Sequence, residues 1–147
     1  MTGISKLEAL RKMMTPERAE EIRDLQEAVA EFSRDGNDEN YGKVLLAFFT
    51  AAKDARLAFS PVESLDMEKK GVVPGKVMTS GGKCYVVCTS PEEAALCPEG
   101  IIVLVKLDKM AVNGAEDPSC NGICLNPYGG HPCLIPRDYI RRILGIG

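Results

Sequence analysis

The sequence predicts an α+β domain, and three observations carry that prediction. Helical periodicity fills the first third of the chain, short β-rich runs follow, and Gly or Pro marks each change of period. The 147 residues, 45% hydrophobic and 27% charged, suit one domain. A chain of this length buries about two-thirds of its unfolded-state surface, so it needs neither disulfides nor a metal to fold. The expected architecture is a mixed, largely antiparallel sheet of about five to six strands packed against two N-terminal helices, with short helices between strands and at the C-terminus. Residues 1–54 form the helical part and 55–147 the sheet-rich part.

Each element has a local reason. Ser5 and Glu8 stand at capping-box spacing and Leu7, Leu10 and Met14 share a face, which suits a short opening helix. Thr15-Pro16 supplies a cap and a first-turn proline for the next, where Ala19, Ile22, Leu25, Val29 and Phe32 recur on one side. Asp35-Gly36-Asn37 ends it. Tyr41, Leu45, Phe48 and Ala52, with Val44 beside them, make the apolar stripe of a helix over Asn40 to Lys53. Leu57, Phe59 and Pro61-Val62 then read as a short strand, and the polar residues 63–71 as a loop. Val72, Val73, Val77 and Met78 lead to Ser80-Gly81-Gly82-Lys83 and on to KCYVVCT, a hairpin whose turn needs the positive φ that Gly accepts.

Ser90, Pro91 and Glu93 combine a cap, a first-turn proline and a capping-box acid for a short helix through Leu96, ended by Pro98 and Gly100. The run IIVLVKL, residues 101–107, is apolar on both alternating faces and predicts a central strand, with Asp108 capping a short turn through Val112. Gly122 to Asn126 and Pro132 to Ile135 read as two short strands, and Pro136 opens a last helix through Leu144.

Three segments together resemble the N-terminal domain of the bacterial SseB family, named for enhanced serine sensitivity. They are LLAFFTAAKDARLAFSPVE, YVVCTSPEEA and GICLNPYGGHPCLIPRDYI, and the resemblance spans most of residues 40–144. The family pattern places a Thr-Ser step followed by acidic residues after a strand, and an Asn-Pro-aromatic-Gly turn before a Leu-x-Pro helix entry. Thr89-Ser90-Pro91-Glu92 and Asn126-Pro127-Tyr128-Gly129 stand at those positions. The resemblance implies a small α+β domain with no established catalytic residues. The second, C-terminal domain that family members often carry has no counterpart in these residues, and the cysteines lie outside the family pattern.

A formal charge of −3 argues against general affinity for nucleic acid. No apolar run reaches the length of a signal-peptide core or a membrane span, so a cytoplasmic protein is expected, with its six cysteines reduced. Cys84, Cys88 and Cys97 repeat the offsets of Cys120, Cys124 and Cys133, yet the flanking residues differ, and buried structural thiols account for them. The sharper alternative is a thiol- or zinc-dependent protein built on Cys120, Cys124, His131 and Cys133, with a hairpin bringing Cys124 opposite Cys133. Its spacing departs from zinc-knuckle patterns, and no motif pairs a thiol with an oriented imidazole for catalysis. Ser80-Gly81-Gly82-Lys83 opens no helix and is no phosphate loop.

What remains is recognition. Asn126, Pro127, Tyr128, Gly129 and His131 display an aromatic and an imidazole on a stiff turn, and Arg137 is the expected rim charge, although basic residues on the last helix also complement its dipole. The expectation is a non-enzymatic interaction or regulatory module without a cofactor, with a protein partner of unknown identity. Uncovered sheet edges also allow a homodimer.

Overall fold

The computed structural model describes residues 5–66, 71–80, 82–98 and 101–146, the side chains of 63–66 and 71–73 aside. Three capped helices come first. Ser5 accepts the Glu8 N–H at 3.1 Å at the start of α1 (Lys6–Met13), and Thr15 accepts the Arg18 N–H at 3.4 Å at the start of α2 (Pro16–Arg34). Asn37 does the same for α3 (Asp38–Lys53), accepting from Asn40 at 2.8 Å. Each cap satisfies an N–H that has no partner within its helix. The apolar faces then meet: Ile22, Leu25, Ala28 and Val29 of α2 and Val44, Phe48, Ala51 and Ala52 of α3 are all buried. Burying one such large aliphatic or aromatic side chain is worth about 1.5–3 kcal/mol, so this seam is a main source of stability.

The strands form two sheets. In the first, β1 (Leu57–Asp66) lies between β2 (Gly71–Pro74) and β5 (Ile101–Lys106), antiparallel to both. In the second, the order is β3 (Lys76–Thr79), β4 (Gly82–Val87), β6 (Gly122–Leu125), β7 (Cys133–Pro136), with β4 and β6 parallel and the outer pairs antiparallel. A corner joins them. Phe59 and Cys88 exchange backbone hydrogen bonds of 3.0 and 2.8 Å, and the buried Ser60 hydroxyl donates to the Val86 carbonyl at 2.7 Å. The chain passes from the first sheet to the second at Gly75, whose N–H donates to Pro61 O at 2.8 Å. A Cβ there would stand 3.0 Å from the Pro61 ring, so glycine permits the approach. Short helices α4 (Pro91–Ala95), α5 (Leu107–Glu116) and α6 (Arg137–Ile143) complete the order.

The α+β class holds, and its finer organisation differs from the expectation. Seven strands in two sheets replace the single sheet of five to six strands among the described residues, while the short opening helix and the two longer ones precede them as expected. The expected polar loop at 63–71 is instead the end of β1 and the start of β2, since an edge pairing tolerates polar side chains; residues 67–70 lie outside the described residues. Ile101–Lys106 is an edge strand and not a central one, with Ile101 65% exposed. An apolar run reports on what covers a strand's faces, whereas centrality depends on neighbours in the plane of the sheet. Asp108 caps nothing: α5 begins one residue earlier, and its Lys106 cap makes no side-chain hydrogen bond. The Gly-Gly hairpin forms between β3 and β4 with Gly82 at φ +109°, while Gly81 and the helix-ending Gly100 lie outside the described residues. Among the described residues, no helix is long and apolar enough to cross a membrane.

Candidate functional site

The parallel strands β4 and β6 end side by side, and at those ends the chain turns into α4 and into the 126–132 loop. Asn126 extends the pairing by donating its N–H to Val87 O at 2.9 Å. Its φ of +53° lies in the left-handed region, which Asn enters more readily than other non-glycine residues. The side chain fixes it there. Asn126 Oδ1 accepts the Thr89 N–H at 2.9 Å, and Nδ2 donates to Thr89 Oγ1 at 2.9 Å, with both residues buried. A backbone N–H can only donate, so the facing atom must be the amide oxygen, and one side chain supplies both an acceptor and a donor. Thr89-Ser90-Pro91-Glu92 and Asn126-Pro127-Tyr128-Gly129, 37 residues apart, are thereby joined into one structural unit.

The neighbouring groups build on that joint. Ser90 Oγ accepts the Glu93 N–H at 3.1 Å and starts α4. The Glu93 carboxylate then crosses Gly129 so closely that a Cβ at 129 would overlap it, and burial holds its carboxyl above the usual carboxylate range. Tyr128 is half-buried against the core, and burial, with the Cys97, Cys88 and Cys124 thiols nearby, raises its phenol. Gly130 and His131 are exposed. Between this loop and Gln26, Val29 and Ser33 of α2 lies a cleft of about 270 Å³, its inner wall formed by Thr89, Ser90 and Glu93. This space lies just under the roughly 300–1,000 Å³ of small-molecule pockets and has room for a side chain of a partner.

Arg137 does not stand at this rim. It sits at the other end of the β6–β7 hairpin, about 13 Å away by strand rise. There its Nε donates to Ala115 O at 3.0 Å, and Arg141 Nη1 donates to the same carbonyl at 3.0 Å. The two guanidinium groups satisfy the C-terminal end of α5, where cations complement the helix dipole.

The cysteine set is also separated. Cys133 pairs with Leu125 and Cys124 with Leu134, one residue off the expected Cys124–Cys133 pairing. A shift of one residue turns a side chain to the other face of the sheet, so these two thiols point apart. Cys120 lies beneath Asp117, its N–H bonded to the Asp117 carbonyl at 3.1 Å, while His131 is exposed on the loop. Burial pushes the Cys124 and Cys133 thiols up to about 12, so both stay protonated at neutral pH. Among the described residues, no group of three or more His, Cys, Asp or Glu side chains is placed to hold a metal ion.

All six cysteines are buried and free, as expected of structural thiols. Two features escaped the sequence reading. Thr89, Ser90 and Glu93 belong to the same unit as the 126–131 loop, a union that only the fold creates. Cys88 and Cys97 lie in contact, with sulfurs 3.8 Å apart. No family model, curated protein or solved structure matches this chain. The meaning of the Thr89–Asn126 joint must therefore come from its own geometry.

Proposed function

We propose that this chain is an SseB-like module of the bacterial cytoplasm that acts by protein recognition or regulation and is not an enzyme. Its partner reads the exposed part of the Asn126–His131 loop and inserts a side chain into the cleft against α2. The observation that carries this reading is the pair of hydrogen bonds between Asn126 and Thr89, which holds an exposed loop on a buried, hydrogen-bonded base. Recognition gains from such preorganisation, because little loop entropy remains to be lost on binding. The two motifs that resemble the SseB family meet at this joint, which supports assigning the family's character to the same surface.

Tyr128 supports the loop from beneath, so changing it would mix loss of binding with loss of packing. The test uses residues that line the cleft without filling the core. Affinity capture from bacterial cytosol is compared for the wild-type chain, His131→Asp, Gln26→Arg and a control on α5, Lys109→Glu. The reading predicts a partner retained by wild type and control and lost from both cleft variants; equal capture by all four would overturn it.

A further inference from the structure

We propose that Cys88 and Cys97 form a redox site, a buried dithiol that a hydroperoxide closes reversibly into an intrachain disulfide. The two sulfurs stand 3.8 Å apart, with the eight residues between them folded into the turn of α4. A disulfide bond is about 2.05 Å long, so closure requires an approach of about 1.8 Å. Cys88 is fixed in the bridge to Phe59, and Cys97 follows the five-residue α4, so the movement falls on Cys97. Its own N–H donates to Ala94 O at 3.1 Å within the end of α4. Lys6 Nζ donates to Cys97 O at 2.6 Å, and the exposed Arg11–Glu92 ion pair ties α1 to α4 at 2.9 Å.

The two thiols are also chemically distinct. Either sulfur can donate in the contact between them; with Cys88 as the donor, this hydrogen bond, aided by the Lys6 ammonium, lowers the Cys97 thiol against the opposing effect of burial. Cys88 is raised, first by that same bond and then by burial. Cys97 is thus the nucleophile and Cys88 the resolving thiol. Cys97 also adjoins the exposed Pro98, whereas Cys88 is fully covered.

In the first step, the Cys97 thiolate attacks one peroxide oxygen, the O–O bond breaks, and water or an alcohol leaves with the proton, giving a sulfenic acid. The Cys88 sulfur then attacks the Cys97 sulfur, the S–O bond breaks, and hydroxide departs as water with the Cys88 proton. The two thiols lose two protons and two electrons, which reduce the peroxide. The closed form draws the end of α4 onto β4 and shifts the carbonyl that Lys6 of α1 holds.

The reduced chain is treated with hydrogen peroxide, and its remaining thiols are alkylated after denaturation. The proposal predicts four alkylated cysteines of the six, a mass lower by two hydrogens before alkylation, and a Cys88–Cys97 linked peptide that dithiothreitol removes. Cys88→Ala should accumulate a sulfenic acid at Cys97 that dimedone traps, and Cys124→Ala should close like wild type. Six alkylated cysteines, or a bridge mapped to another pair, would overturn the proposal, and the wild-type mapping decides this even if Cys88→Ala fails to fold.

Discussion

The β6–β7 hairpin is anchored at both ends, and the two anchors do different work. At the open end, Asn121 N–H donates to Lys83 O and Arg137 N–H to Asn121 O, each at 2.8 Å, while Arg137 and Arg141 close off α5. At the turn end a single side chain, Asn126, holds the base, and beyond it residues 129–131 are exposed. Glycine and cationic or aromatic residues occur at both ends. What distinguishes them is whether their polar groups are already engaged: guanidinium groups satisfied by a helix carbonyl serve the fold, and an exposed imidazole on a fixed base is open to a partner.

Three changes probe this contrast, beginning with the most severe. Gly122→Ala strikes the open end, where φ is +137° and a new Cβ would overlap the Ile135 carbonyl oxygen. Backbone must move, and a loss of about 3 kcal/mol or more is expected in urea unfolding. Asn126→Ala strikes the turn end, leaving the buried Thr89 N–H unpaired and a Cβ residue at φ +53°. About 2–3 kcal/mol should be lost. Asn126→Gly should regain roughly 1 kcal/mol of that by relieving the left-handed strain. Equal losses for Ala and Gly would break the claim that backbone conformation matters at this joint.

The mildest change is acidification, which acts on the open end. Asp117 accepts from Ser119 Oγ and Tyr85 OH at 2.6 Å each and from Ser119 N–H at 2.8 Å, with Lys76 Nζ 3.7 Å away. These bonds, the Ser119 hydroxyl first, hold its carboxyl well below the usual range. A folded-state value below the unfolded one of about 3.9 means that its stabilisation is present above that pH and is lost as pH falls further. Asp117→Asn should flatten the fall in stability below about pH 4, as read by urea midpoints across pH; an unchanged profile would remove Asp117 from the anchor.

Local chemistry was legible in the sequence, and long-range pairing was not. Ser5, Thr15 and Ser90 cap helices as their neighbours predicted, because a cap involves residues three positions apart. The corner at Phe59–Cys88 and the edge position of Ile101–Lys106 depend on strands far apart in the chain, which periodicity does not encode. The cysteine offsets show the same limit. Cys88 and Cys97 meet because α4 folds back on the strand, whereas Cys124 and Cys133, at the same offset, lie on opposite faces of a hairpin. The candidate loop was found from its turn residues, but its base at Thr89 and the diversion of Arg137 to Ala115 are visible only in three dimensions.

The central claim is that the fixed loop beside α2 is where a partner binds. It is tested most directly by placing a photoreactive amino acid at position 131, and at position 109 on α5 as control, in chains expressed in bacterial cells. The account predicts a discrete crosslinked partner from position 131, absent from position 109 and lost when Asn126→Ala is added. The same adducts from both positions, or none from position 131, would contradict it.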